Sequence, residues 1–274
     1  MRATTLIAVL MAVAIAACGP KNPDPAPTPI PEPTTEPTAA TEPTPAAPPT
    51  EPAAAPEPPK PPSTDPIEVT PGTHSLVMEN DSVRVLNATF APGAEAGMHK
   101  HAYGQFVYVA APGKLAVTDA DGKTTDMDLK ASSGMFIPAT SHTAKNIGTT
   151  EVKLVIVEMK TDAGAAAPKG TDPLKAGAKI YKKVFEDDHV RAMEVTFAKG
   201  AKIAKHTHPD HLAYALTDGK LKVTGEKDTQ DLEVKAGQAM FLPAQVHAAQ
   251  NTGDAPLKLL VVEMKPAGGT PAAK

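Results

Sequence analysis

Tryptophan is missing from this chain, cysteine occurs once, and aromatic residues make up 4% of its 274 positions. One cysteine cannot form an internal disulfide, so no bridged framework holds the fold. Positive charge is not in excess either: 27 Lys and Arg stand against 31 Asp and Glu, with lysines scattered along the chain. Without a basic stripe, no nucleic acid is expected as a partner. The longest apolar run near the start, Leu6 to Ala17, is too short to span a bilayer as a permanent helix. Scarce aromatics beside 30 prolines mean that part of the chain does not pack into a core.

The ends of that apolar run show what it is for. One charge at Arg2, an apolar stretch, and small residues before Cys18 have the layout of a secretory leader over residues 1–17. Ile15, Ala16, Ala17 and Cys18 resemble a bacterial lipobox, which implies that Cys18 is acylated and becomes the first residue of the mature protein. A lipid membrane is then a partner, and the expected location is the cell envelope, on the periplasmic face or the cell surface. Residues 18–66 hold most of the prolines, with Thr, Ala and Glu and no aromatic, and are expected to stay disordered. In polyproline II form, at about 3.1 Å per residue, such a tether reaches on the order of 100 Å.

The remainder is a repeat. VRVLNATFAPGAEAGMHKH from Val83 and VRAMEVTFAKGAKIAKHTH from Val190 run in register, GKLAVT answers GKLKVT, and both units end on VEMK. Alternating segments such as QFVYV and KLKVT, between turns marked PG, DADG and DG, predict many short strands in an all-β fold. The units span 67–160 and 178–265, joined by 161–177 and followed by a loose tail, 266–274. On a strand, residues i and i+2 share a face, so His99 converges with His101, and His206 with His208. A third imidazole returning from a neighbouring strand would close a facial set that leaves metal positions open.

The spacing around these histidines resembles the cupin motifs, G-x5-H-x-H-x3,4-E with a following glycine and G-x5-P-x-G-x2-H-x3-N. The first unit supplies Gly93, His99 and His101, with Gln105 in the glutamate place, then Ser132 in place of the glycine, Pro138, His142 and Asn146. The second supplies Gly200, His206 and His208, then Gly237, Pro243, His247 and Asn251. In both units the second motif is one residue short between proline and histidine. In the glutamate place the second unit has Leu212 if the gap is kept at three residues, or His211 if the Pro209-Asp210 turn redirects the chain. The resemblance implies two tandem jelly-roll barrels, a bicupin, with three-histidine sites.

Imidazoles without a carboxylate suit a divalent transition metal (Fe, Zn, Cu, Mn or Ni) rather than Mg or Ca. Gln105 is expected at the metal or on a bound ligand. A neutral ligand set leaves the cation's charge uncompensated and favours a small acidic or chelating molecule. The expected function is a metal-dependent enzyme, such as an oxygenase or isomerase, or a barrel pair that captures a ligand or metal without turnover. His74 and His189 fit no pattern and read as surface residues; Met98 and Phe136 read as barrel wall. Asn146 and Asn251 read as turn residues, and Arg84 and Arg191, which also repeat, are explained equally well by a stabilising role outside the barrel.

Overall fold

A computed structural model of the chain describes residues 63–161 and 164–266. The leader 1–17, Cys18, the tether as far as residue 62 and the tail from 267 lie outside the described residues. The first unit comprises α1 (Pro66–Val69), β1 (His74–Glu79), β2 (Val83–Phe90), β3 (Glu95–His101), β4 (Gln105–Ala111), β5 (Gly113–Asp119), β6 (Thr124–Leu129), β7 (Ser133–Ile137), β8 (Thr140–Asn146) and β9 (Val152–Met159). The second repeats it as α2 (Pro173–Ala176), β10 (Tyr181–Glu186), β11 (Val190–Phe197), β12 (Lys202–His208), β13 (His211–Ala215), β14 (Gly219–Thr224), β15 (Thr229–Val234), β16 (Ala239–Leu242), β17 (Gln245–Asn251) and β18 (Leu257–Met264).

Each unit is an antiparallel double-sheet barrel. A five-stranded sheet, β1-β2-β9-β4-β7, faces a four-stranded one, β3-β8-β5-β6, and the second unit repeats both orders. The interior of the first barrel is built on Leu86, Phe90, Val107, Leu115 and Ile156, and that of the second on Met193, Phe197, Ile203, Leu221 and Leu259. A third apolar cluster joins the barrels through their five-stranded sheets, with Val85, Phe106 and Val157 against Ala192, Leu212 and Val262. Strands buried on both faces lose the alternation of a half-exposed sheet. VKLVIVEM in β9 and LKLLVVEM in β18 are accordingly almost continuously apolar. Two hydrogen bonds cross the junction at equivalent places: Tyr108 Oη donates to Glu194, and Tyr214 Oη to Asn87 Oδ1 at 2.8 Å.

Both helices are single turns started the same way. Asp65 accepts from the Ile67 amide and Pro66 follows it; Asp172 accepts from the Leu174 amide and Pro173 follows. The sequence reading places Asp65 in the tether and Asp172 in the joining segment, yet each anchors the entrance to its barrel. Asn146 and Asn251 are buried turn residues: each side chain accepts from an amide two residues on and donates to backbone carbonyls.

Candidate metal centres

In the first barrel, β3 carries His99 and His101 with both side chains inward, and His142 on β8 lies directly opposite His99 in the ladder. The register slips between Ala96 and His99, a bulge beside the site that re-aims the side chains after it. Ring centroids are 4.5 Å apart for His99 and His142, 5.1 Å for His99 and His101, and 5.4 Å for His101 and His142. A fourth imidazole joins them. His74, on β1, lies 4.9 Å from His99, and His74, His99 and His101 offer ligand atoms all within 4.8 Å of one another.

Hydrogen bonds at Nδ1 fix which nitrogen faces inward. His99 Nδ1 is 2.7 Å from the Gly97 carbonyl and His101 Nδ1 is 2.7 Å from Glu158 Oε1, so both nitrogens are donors and each Nε2 keeps its lone pair. His74 Nδ1 contacts Thr70 Oγ1 and Thr73 Oγ1. Each of these hydroxyls already donates to a carbonyl, of Pro66 and Thr70 respectively, so His74 Nδ1 is the donor to both oxygens. Its Nε2 is thereby free as a ligand.

Four buried side-chain atoms among the described residues have no hydrogen-bond partner, Arg84 Nε, His99 Nε2, Gln105 Oε1 and His247 Nδ1, and of these His99 Nε2 and Gln105 Oε1 belong to the inward groups of the first barrel. A buried lone pair without a donor is costly, and a cation among the imidazoles satisfies that of His99. Gln105 opens β4 and is 1% exposed. With His74, His101 and His142 it lines the head of a cavity of about 250 Å³. The donor set therefore fits a transition metal.

The second barrel repeats the frame with different donors. His206 and His208 on β12 and His247 on β17, opposite His206, offer ligand atoms within 4.8 Å of one another. His211 stacks on His208 at 4.6 Å. It opens β13 opposite Glu263, as Gln105 opens β4 opposite Glu158. Of the two candidates for the glutamate place, His211 therefore holds it. Pro209 and Asp210 end β12, so His211 does not lie on an unbroken strand pointing away from His208, and Leu212 turns into the apolar junction between barrels. At the place of His74 stands Tyr181, whose Oη is 3.1 Å from His206 Nε2 and 3.4 Å from His208 Nε2.

Behind each site runs a charged chain. His101 is held by Glu158, Glu158 by Arg84, and Arg84 by Asp65 of the helix cap. His208, Glu263, Arg191 and Asp172 repeat it. Such carboxylate contacts fix the tautomer and orientation of a metal-binding histidine. Burial opposes the charge on Arg191, but its hydrogen bond to Glu263 and the nearby carboxylates raise its pKa. Burial pushes the Glu263 carboxyl up against the pull of Arg191. Burial, then mutual repulsion, holds His74 and His142 down to about 3, and His247 likewise. His208 falls to about 3 through burial, His206 and Arg191, and His211 to about 4 through burial and His208. All five are held neutral at neutral pH.

The structure thus brings His99, His101, His142 and Gln105 together, and His206, His208, His247 and His211. Several readings change. His74 is 4% exposed and belongs to the first cluster, not the surface. Met98 is 49% exposed and lines no wall. Phe136 packs at the junction and stacks on the exposed ring of His189 at 4.2 Å. Arg84 and Arg191 act on the sites through Glu158 and Glu263. Signals for the missed groups were present: VEMK carries both glutamates, and extending the repeat upstream aligns Asp65-Pro66 with Asp172-Pro173 and His74 with Tyr181.

The chain belongs to the cupin family. The cupin domain profile matches it twice, over residues 86–158 and 193–263. No curated protein matches it in sequence. Among solved structures, AerE from Microcystis aeruginosa is similar at a TM-score of 0.53 and 20% identity, over 74% of this chain and 97% of that one. Oxalate decarboxylase from Bacillus subtilis, a protein with Mn(II) centres, is similar at a TM-score of 0.51 and 14% identity, over 70% of this chain and 72% of its own. At these identities the likeness is one of fold.

Proposed function

We propose that the protein is a lipid-anchored bicupin of the bacterial envelope, held through Cys18, whose histidine sets bind divalent transition metals and whose first barrel captures a small molecule at its metal. The observation that carries this reading is the pair of buried, unpartnered atoms His99 Nε2 and Gln105 Oε1, the latter lining the 250 Å³ cavity. Such a volume lies just under the usual range for ligand sites, so the ligand is small.

The lining narrows its chemistry. Val107, Leu115, Met127, Leu129, Ile137 and Leu154 surround the space, and among the described residues no Lys or Arg lines it. An anion has no side-chain clamp here, and only the cation would hold one. A molecule with an apolar body and one oxygen donor fits better than a compact polyacid. When bound, the metal supplies a Lewis acid at that donor. His74, His101 and His142 orient it, Gln105 accepts a hydrogen bond from the ligand, and the apolar wall excludes water.

Turnover is a second reading, and it would draw on Asp119, a carboxylate on the cavity lining whose Oδ1 also accepts the Asp121 and Lys123 amides. Elemental analysis of the full chain beside His99→Ala/His101→Ala and His206→Ala/His208→Ala tests metal binding. One metal should be lost with each pair. Full retention by both variants, or no metal after reconstitution with Fe(II), Zn or Cu, overturns the proposal. Oxygen uptake or product release by the loaded protein decides between capture and turnover.

A further inference from the structure

We infer that Tyr181 is a metal ligand, giving the second barrel a mixed imidazole and phenolate oxygen site where the first has imidazole alone at the same place. The inference rests on the metal-binding reading above and extends it to a residue outside the histidine motif. Tyr181 opens β10, and its ring is buried in the barrel beside His206 and His208.

Geometry carries the argument. His206 Nδ1 is 2.9 Å from the Ala204 carbonyl, and His208 Nδ1 is 2.7 Å from Glu263 Oε1, so both Nε2 lone pairs point inward. Tyr181 Oη lies 3.1 Å from one and 3.4 Å from the other. With bonds of about 2.1 Å, neighbouring ligand atoms on one metal stand about 3.0 Å apart in octahedral geometry and about 3.4 Å apart in tetrahedral geometry. The hydroxyl therefore stands where a fellow ligand stands. The first barrel supports this use of the position, since His74 there contributes its ligand atom to the cluster with His99 and His101.

Metal entry breaks the Tyr181 Oη–H bond and forms an Oη–metal bond, with the proton passing to solvent and no electron transferred. An anionic oxygen is harder than imidazole, so the second site should favour a harder ion such as Fe(III) more than the first does.

The test is optical. The full chain is titrated with Fe(III) supplied as citrate, and absorption and resonance Raman spectra are recorded beside Tyr181→Phe and His206→Ala/His208→Ala. The expected result is a visible phenolate-to-Fe(III) charge-transfer band with enhanced tyrosinate vibrations, lost in both variants. Iron bound in the second barrel without the band, or a band that survives in Tyr181→Phe, overturns the ligand role alone. Absence of any second-barrel metal overturns the metal reading of that barrel and the ligand role with it. Zinc binding gives a check without colour. Affinity at the second site should fall at least about tenfold in Tyr181→Phe, whereas a rise would mean that Tyr181 merely plugs the histidine lone pairs.

Discussion

The two barrels share a frame and differ in what they point at its centre. Asp, Arg, Glu and His form the same chain in both: Asp65, Arg84, Glu158 and His101 in one, Asp172, Arg191, Glu263 and His208 in the other. The inward donors diverge at two places, His74 against Tyr181 on the first strand and Gln105 against His211 at the start of the fourth. The support behind the histidines is thus the part that the two barrels hold in common. The inward donors are the part that differs, and two barrels on one chain need not offer the same site.

Acid should separate the barrels most. His74 and His142 in the first, and His208, His211 and His247 in the second, have pKa values of about 3 to 4 when folded. Their unfolded value is near 6.5. A base with a depressed folded pKa contributes its full stability above the unfolded value, and loses it as the pH falls toward the folded one. Each such histidine costs up to about 1.4 kcal/mol per pH unit in that window. With three such groups against two, the metal-free second barrel should open first between pH 6.5 and 4. Hydrogen exchange should show β12 and β17 losing protection at a higher pH than β3 and β8. The reverse order would remove the electrostatic distinction between the barrels.

The carboxylate chains offer the next contrast. Glu158 shares Arg84 with Asp65 and Glu79, whereas among the described residues Glu263 shares Arg191 with Asp172 alone. Removing one partner of a buried pair costs about 3–5 kcal/mol because the other charge is left behind. Glu263→Ala should therefore approach that cost in urea unfolding, and Glu158→Ala should fall short of it. Metal affinity should drop about 10- to 100-fold at the affected site in each case. Equal losses of stability would mean that Glu79, 3.7 Å from Arg84, contributes nothing.

How much of this could be read from the chain depends on which groups the strand period reports. His99 and His101, like His206 and His208, are two apart on a strand, so a period of two places them on one face, and the cross-strand histidine follows from pairing. His74 has no companion on β1, and its role depends on where that strand lies in three dimensions. The loop of two residues before His211, against three before Gln105, shifts the equivalence by one position, which no strand rule decides in advance. Arg84 and Arg191 were visible as repeats, but their link to the histidines runs through Glu158 and Glu263, residues far along the chain on β9 and β18. Phe136 faces outward because the five-stranded sheet is covered on both sides, a fact that belongs to the packing of the two barrels.

The smallest contrast lies in one turn. Gly237 adopts φ 87° before β16, and the equivalent place before β7 holds Ser132 at φ 59°. A side chain in the left-handed region carries a steric cost of roughly 1–2 kcal/mol that glycine avoids. Gly237→Ser should destabilise the chain by about 1 kcal/mol, since its added Cβ meets only Tyr214 Oη at 3.9 Å and strain is the main new term. Ser132→Gly should stabilise by less than about 1 kcal/mol, because glycine's greater freedom when unfolded and the lost Ser132 side-chain hydrogen bond to Tyr108 offset part of the relief. Urea unfolding of both single variants measures the two terms separately. Opposite signs would show that the first barrel tolerates a strained turn that the second avoids; a neutral Gly237→Ser would show that the turn itself relaxes, and that the two barrels are equivalent there after all.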